Sequence, residues 1–396
     1  MRHPAWRAWR AGDIDGAEHL AASAPDRTRV RLEFLTRFVR GRYREALDGY
    51  AADRTRFSRA FDEPVALAWL HSGRPDEALD HVIRRRGARA VPADLRMRVD
   101  QPLRTSLSVE TVLPFAQGSL SPYLPAVETV MDGRPVVAHL DTGGTFVVMG
   151  TARAESLGVQ LVPLGRDHHG TTRTSVSAGT LAELLLGDAV LTNVPVHVMP
   201  TLRGDQDVVL LGTNVFQQFL TTIDAPGERL VLAPRGSTVQ PGVSATRIPF
   251  FLWGDHYMFA RGGFGTRRDL SFFVDSGLAY VVREDDAAPA RQASLYVTRR
   301  QSRSWGVDRR RASAPHWYAE EPIHLGDLRQ DRALVATTPT RRTPWRSFGG
   351  VRIHALLSQG FLRDYSWTLD FDQHLYVFQP RDEAPAARAV GAPSIT

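Results

Sequence analysis

The sequence predicts a multi-domain protein: an all-α helical-repeat region over residues 1–105, then a mostly β, two-lobed region over 120–235 and 246–380, and a loose tail over 381–396. Three observations carry that expectation. Apolar residues in the first hundred positions recur at helical spacing, with few strand signals. Beyond them, short apolar runs are punctuated by turn residues. Finally, these runs come twice, in the same order, around two Asp-Ser/Thr-Gly triplets that lie 134 positions apart.

In the helical part a Gly-x-x-x-x-Ala pattern recurs as Gly12 with Ala17, Gly41 with Ala46, and Gly73 with Ala78, at spacings of 29 and 32. Trp9, Phe38 and Leu70 each stand three residues before the glycine, and Glu45-Ala46-Leu47 is echoed by Glu77-Ala78-Leu79. Small residues let paired helices approach, and the large ones fill the space between pairs. The pattern resembles tetratricopeptide-type hairpins, slightly short of their usual period. Such arrays hold partner peptides or pack against a neighbouring domain, and the aromatic positions read as core first.

The β part opens with Ala126–Val130 and Pro135–Leu140 flanking Asp132-Gly133, a two-residue hairpin signal that leads into Asp141-Thr142-Gly143. Its echo has Tyr257–Ala260 and Leu270–Val274 around the turn Gly262–Gly265, leading into Asp275-Ser276-Gly277. Leu186-Gly187-Asp188 returns as Leu325-Gly326-Asp327, each followed by a strand-like run, Val194–Val198 and Ala333–Ala336. Leu210–Asp224 then aligns without a gap on Leu356–Asp370. Asp224 and Asp370 close these segments and read as turn residues. The glycines at 262–265 join two strands and open no helix, which argues against a phosphate cradle.

One such triplet alone is most often a surface turn. Two, each wedged between apolar stretches, predict a facing pair of carboxylates. On these motifs, roughly Pro122 to Pro380, the chain resembles the pepsin and retropepsin superfamily of aspartic peptidases, most closely its two-lobed bacterial members. The resemblance implies that Asp141 and Asp275 are catalytic, that Thr142, Gly143, Ser276 and Gly277 support the two loops, and that neither metal nor cofactor takes part. It also implies a flap at about 166–181, where His168 and His169 would touch substrate. The chain departs from the family at Gly144 and Leu278, at Ser358 in the second Leu-Leu-Gly position, and in lacking a flap tyrosine. These departures suggest an alternative, a non-catalytic peptide-binding protein on the same fold.

Composition narrows the chemistry. The chain has no cysteine, which excludes thiol nucleophiles and cysteine-bound zinc. All 49 basic residues are arginine, and without lysine there is no Schiff-base, phosphate-loop or Ser-Lys enzyme. The dense basic stretch from Arg299 to Arg311 surrounds Trp305, a further candidate for substrate contact. It reads as a solvated hairpin insertion, with nucleic-acid binding the minor reading. With no apolar run of spanning length and no leader-like start, a cytoplasmic bacterial protein acting on peptide or protein substrate is expected.

Overall fold

The computed structural model describes residues 3–169, 172–200, 208–239, 242, 244–283, 290–338 and 344–380, without the side chains of 167–169, 172 and 344. The stretch 381–396, expected as a tail, lies outside the described residues.

Seven helices come first: α1 (Pro4–Ala11), α2 (Ile14–Ala21), α3 (Asp26–Val39), α4 (Tyr43–Ala52), α5 (Asp62–His71), α6 (Pro75–Arg86) and α7 (Ala93–Asp100). They contact one another as successive pairs, α1 with α2, α3 with α4 and α5 with α6. Each pair turns at one of the repeated glycines, Gly12, Gly41 and Gly73, at φ of 77°, 74° and 71°, a conformation that penalises any Cβ. Ala17, Ala46 and Ala78 are fully buried, as the close approach of paired helices requires.

The mostly β region begins with β1 (Arg104–Ser106), β2 (Thr111–Pro114), β3 (Ala126–Met131), β4 (Arg134–Leu140) and β5 (Val147–Met149), followed by α8 (Thr151–Ser156). Next come β6 (Val162–His169), β7 (Thr172–Leu186), β8 (Ala189–Val198) and β9 (Val209–Leu211), then α9 (Thr213–Phe216), β10 (Phe219–Asp224) and β11 (Arg229–Pro234). The β3–β4 hairpin turns at Asp132 and Gly133 with φ of 46° and 76°, as a two-residue hairpin with positive φ at both positions demands. β4 runs parallel to β9, and eight strands join in the order β1-β8-β5-β9-β4-β3-β7-β6.

The second half repeats this wiring. It contains β12 (Thr246–Trp253), β13 (Tyr257–Phe264), β14 (Arg267–Val274), β15 (Val281–Val282), β16 (Arg291–Gln292) and β17 (Leu295–Thr298), then α10 (Arg299–Ser304) and α11 (Arg309–Ser313). It ends with β18 (His316–Tyr318), β19 (Ile323–Leu325), β20 (Leu328–Gln330), β21 (Leu334–Thr338), β22 (Ser347–Phe348), β23 (Val351–Arg352), β24 (Ala355–Leu357), α12 (Gln359–Leu362), β25 (Tyr365–Asp370) and β26 (Leu375–Pro380). β14 runs parallel to β24 as β4 does to β9. β17 pairs with β21 and β24 in the senses in which β5 pairs with β8 and β9.

The two halves are stitched together where β10 meets β25 antiparallel. Thr222 stands opposite Thr368, its own counterpart in the duplicated segment, and their hydroxyls hydrogen-bond at 2.7 Å. A residue can face its own duplicate only on a twofold relation, so the internal repeat read from the sequence is realised here as local symmetry. Asp224 and Asp370 behave alike as turn residues, Asp224 accepting from Gly227 N and Asp370 from Asp372 N and Gln373 N.

The near-continuous apolar runs of β12 to β14 have a physical reason: the sheet is buried on both faces. Phe250, Leu252, Ala260, Phe272 and Val274 point into the core of the β region. Phe251, Phe259 and Phe273 alternate to the other face and pack in one cluster with Trp9, Phe34 and Phe38 of the helices. The Trp9 indole donates to Gly349 O at 2.9 Å, and Trp253 meets Phe38 edge to face at 5.5 Å. Burying a Phe or Leu side chain is worth about 1.5–3 kcal/mol, so this shared cluster is a large fraction of what docks the helices.

Two expectations are corrected. The turn read at Gly262–Gly265 begins later, at Gly265, because Gly262 and Gly263 lie within β13. A Cβ on Gly262 would stand 2.2 Å from the Phe272 ring, so glycine there makes room for an aromatic in the neighbouring strand. The arginine-rich stretch is no hairpin but the two short helices α10 and α11. Thr298 and Gln301 cap α10 reciprocally, and the Asp308 side chain caps α11. Among the described residues no helix is long and apolar enough to cross a membrane.

Candidate active site

Both aspartates follow directly on the second strand of a hairpin, β4 for Asp141 and β14 for Asp275. In each case the backbone N–H is fixed by the parallel neighbour: Asp141 N donates to Leu211 O and Asp275 N to Leu357 O, both at 2.9 Å. Each carboxylate then accepts from the glycine two residues on, Asp141 Oδ1 from Gly143 N at 2.9 Å and Asp275 Oδ1 from Gly277 N at 2.8 Å. Four hydrogen bonds, two per copy, therefore aim the pair with the same local geometry.

The loops meet across the twofold. Thr142 N donates to Ser276 Oγ at 2.9 Å and Ser276 N to Thr142 Oγ1 at 3.0 Å, a reciprocal brace buried from solvent. Ser276 Oγ in turn donates a hydrogen bond to Leu140 O at 3.1 Å. A Cβ on Gly143 would stand 2.2 Å from Asp275 Cγ, and one on Gly277 would stand 2.0 Å from Asp141 Oδ1. Each carboxyl thus lies over the other loop's glycine, where no other residue leaves room.

The two carboxyls are hydrogen-bonded to one another. Burial first, and then the neighbouring Asp141 charge, push Asp275 well above the usual carboxylate range, against the opposing donation from Gly277 N. Tyr296 of β17 lies close enough to feel the Asp275 charge, and burial together with that charge raises its phenol. Its hydroxyl is buried with no hydrogen-bond partner among the described residues. Nothing in the sequence singled out Tyr296, because it reaches Asp275 only through the pairing of β17 with β24.

The departure at Ser358 has a packing explanation. Gly212, its counterpart, is hemmed in by the Phe146 backbone, whose carbonyl oxygen would stand 2.3 Å from an added Cβ. At Ser358 the side chain has space and donates to Ala293 O at 2.7 Å. At Gly144 an added Cβ would stand 3.1 Å from Asp141 Oδ2, so a small side chain is nearly accommodated. Leu278 packs among the apolar side chains shared with the helices.

The remaining candidates are placed differently. His168 and His169 lie in β6, in the hairpin with β7, and their side chains lie outside the described residues. Trp305 is half-buried and stacks on Phe264 at 5.2 Å, with Phe272 beside it. That ring packs on the β core on one side.

The structure also shows a support that the sequence reading missed. Thr145 Oγ1 bonds His256 Nδ1, and Thr213 Oγ1 donates to Gly144 O at 3.0 Å and to Asp255 O at 3.1 Å. Asp255 is in turn held by Arg98 of α7 at 3.0 Å, with His71 of α5 at 3.5 Å. Burial alone would raise the Asp255 carboxyl, but the Arg98 and His71 charges hold it below its usual range. The first aspartate loop is thereby tied to the helical region.

A family model described as aspartyl protease matches residues 127–215, the segment that contains Asp141 and the Leu210-Leu211-Gly212 strand. Among solved structures the chain is similar to a retropepsin-like aspartic protease from Rickettsia conorii, at 18% identity and a TM-score of 0.26, over 33% of this chain and 93% of that one. No curated protein matches.

Proposed function

We propose that this protein is an aspartic endopeptidase, built on two pepsin-like lobes, that hydrolyses peptide bonds with a water activated between Asp141 and Asp275. One observation carries the reading: each carboxyl sits over the other loop's glycine, and the two share a hydrogen bond. Two adjacent carboxyls do not both ionise readily, so the pair titrates as a unit and holds one proton over an intermediate pH range. In that state the ionised carboxylate takes a proton from water while the protonated partner donates to the scissile carbonyl oxygen. The Gly143 and Gly277 N–H groups and the Thr142–Ser276 brace keep both carboxyls in place. An extended peptide would lie across the pair, paired as an added strand beneath the β6–β7 hairpin.

A second reading, a peptide-binding protein without turnover, draws on Gly144 and Leu278, neither of which offers a hydroxyl to the carboxyls. A mixed peptide library incubated from pH 4 to pH 8 separates the two. The enzyme predicts cleavage that a pepstatin-type mimic inhibits and that Asp141→Asn or Asp275→Asn each lowers by at least about 100-fold. Peptide binding with no cleavage at any pH would favour the binder.

A further inference from the structure

A cavity of about 680 Å³ lies away from the aspartates, where the helical region meets the second half of the β region. Four arginines line it, each from a different element: Arg10 from α1, Arg300 from α10, Arg346 from the short turn before β22, and Arg352 from β23. His354 completes that wall, and among the described residues no aspartate or glutamate contributes to it. No local sequence pattern signals this convergence, since Arg10 and Arg352 are brought together only by docking of α1 against β23.

Several arginines elsewhere in the chain are paired with carboxylates. Arg85 and Arg86 share Asp62, Arg229 holds Asp224, and Arg98 holds Asp255. At the cavity, Arg10 is half-buried, and its covered Nη2 makes no hydrogen bond among the described residues. Arg300 and Arg352 make no ion pair among the described residues. A guanidinium carries five donors and no acceptor, so arginines converging on one cavity suit a ligand that supplies oxygen atoms. Its planar fork matches the geometry of carboxylate and phosphate oxygens. His354 Nδ1 accepts from Ser271 N at 3.0 Å, which leaves its other ring nitrogen as a further donor.

We propose that this cavity is a binding site for a small polyanion, a molecule with at least two phosphate or carboxylate groups, gripped by Arg10, Arg300 and Arg352. A single inorganic phosphate is far smaller than a space of this size, which lies in the range of small-molecule pockets. Because Arg10 belongs to the helices and Arg352 to the β region, the bound ligand would also clamp the two together and raise the unfolding temperature. The site is independent of the peptidase reading and stands or falls separately from it.

The test is calorimetric titration of the full chain with tripolyphosphate and, separately, with citrate, at low and at moderate salt. Binding of either supports the site, and which one binds identifies phosphate or carboxylate as the recognised group. Arg300→Gln and Arg352→Gln change exposed side chains and should fold normally, and each should weaken binding by about tenfold. Arg309→Gln, on α11 and outside the cavity, should leave it unchanged. The proposal is overturned if neither anion binds, if binding is indifferent to the cavity arginines, or if a short single-stranded oligonucleotide binds more tightly than both anions.

Discussion

A single carbon atom on Gly277 would stand 2.0 Å from Asp141 Oδ1, and that number sets the tolerance of the site. Gly277→Ala must push the carboxyls apart, and displacement of about 1 Å at reacting groups costs on the order of 100-fold in rate. A loss of cleavage of that order is expected, with the fold retained by circular dichroism; an alanine variant of wild-type activity would show that the pair is not packed this way. Gly144→Ala, with 3.1 Å to Asp141 Oδ2, should be far milder. At this scale much was legible in the sequence, because the triplets, the hairpin signal at Asp132-Gly133 and the Leu-Gly-Asp echoes are local patterns. Tyr296 and His256 were not legible, since each reaches the aspartate loops from a strand or turn distant in sequence.

Among elements, α7 has the clearest leverage over the site. Arg98 holds Asp255, and the turn at Asp255 and His256 holds Thr145 and Thr213 behind Asp141. Removing one partner of a largely buried ion pair strands the other, at a cost of up to about 3–5 kcal/mol. Arg98→Met should therefore lower stability by that order, and cleavage should fall even at temperatures where the variant is folded. A denaturant titration run beside the peptide assay measures both; unchanged activity in the folded variant would detach the helices from the site. The misreading of α10 and α11 as a hairpin also belongs here. Arginine outnumbers apolar residues so heavily between 299 and 311 that no helical period shows, although Thr298 and Gln301 offered a capping-box signal.

For the whole molecule, the sheet of β12 to β14 serves two cores, and the helices are one partner in the second. That arrangement was hidden in the sequence, where unbroken apolar runs say that both faces are buried but not by what. It also sets the pH behaviour. Burial holds His374, at this interface, down to about 3, and His81 and His354 down to about 4. Groups depressed in this way contribute stability that is complete above about pH 6.5 and drains as pH falls towards their folded values. Asp275 works in the opposite sense: its raised value contributes stability that is complete below about pH 4 and is lost as pH rises through it. Thermal unfolding across pH 4–9 should give a maximum between these limits, and Asp275→Asn should flatten only its alkaline side. A variant curve parallel to wild type would deny the Asp275 shift.

The shared proton is the centre of the account, and carbon NMR of aspartate-labelled protein reads it directly. Two carboxyl signals should titrate in separated steps, the upper well above the ordinary carboxylate range, and Asp141→Asn should leave a single step below the wild-type upper one, because burial still raises Asp275 while the neighbouring charge is gone. If every aspartate in the wild-type protein ionises at about pH 4 or below, the two carboxyls do not share a proton and the peptidase reading fails.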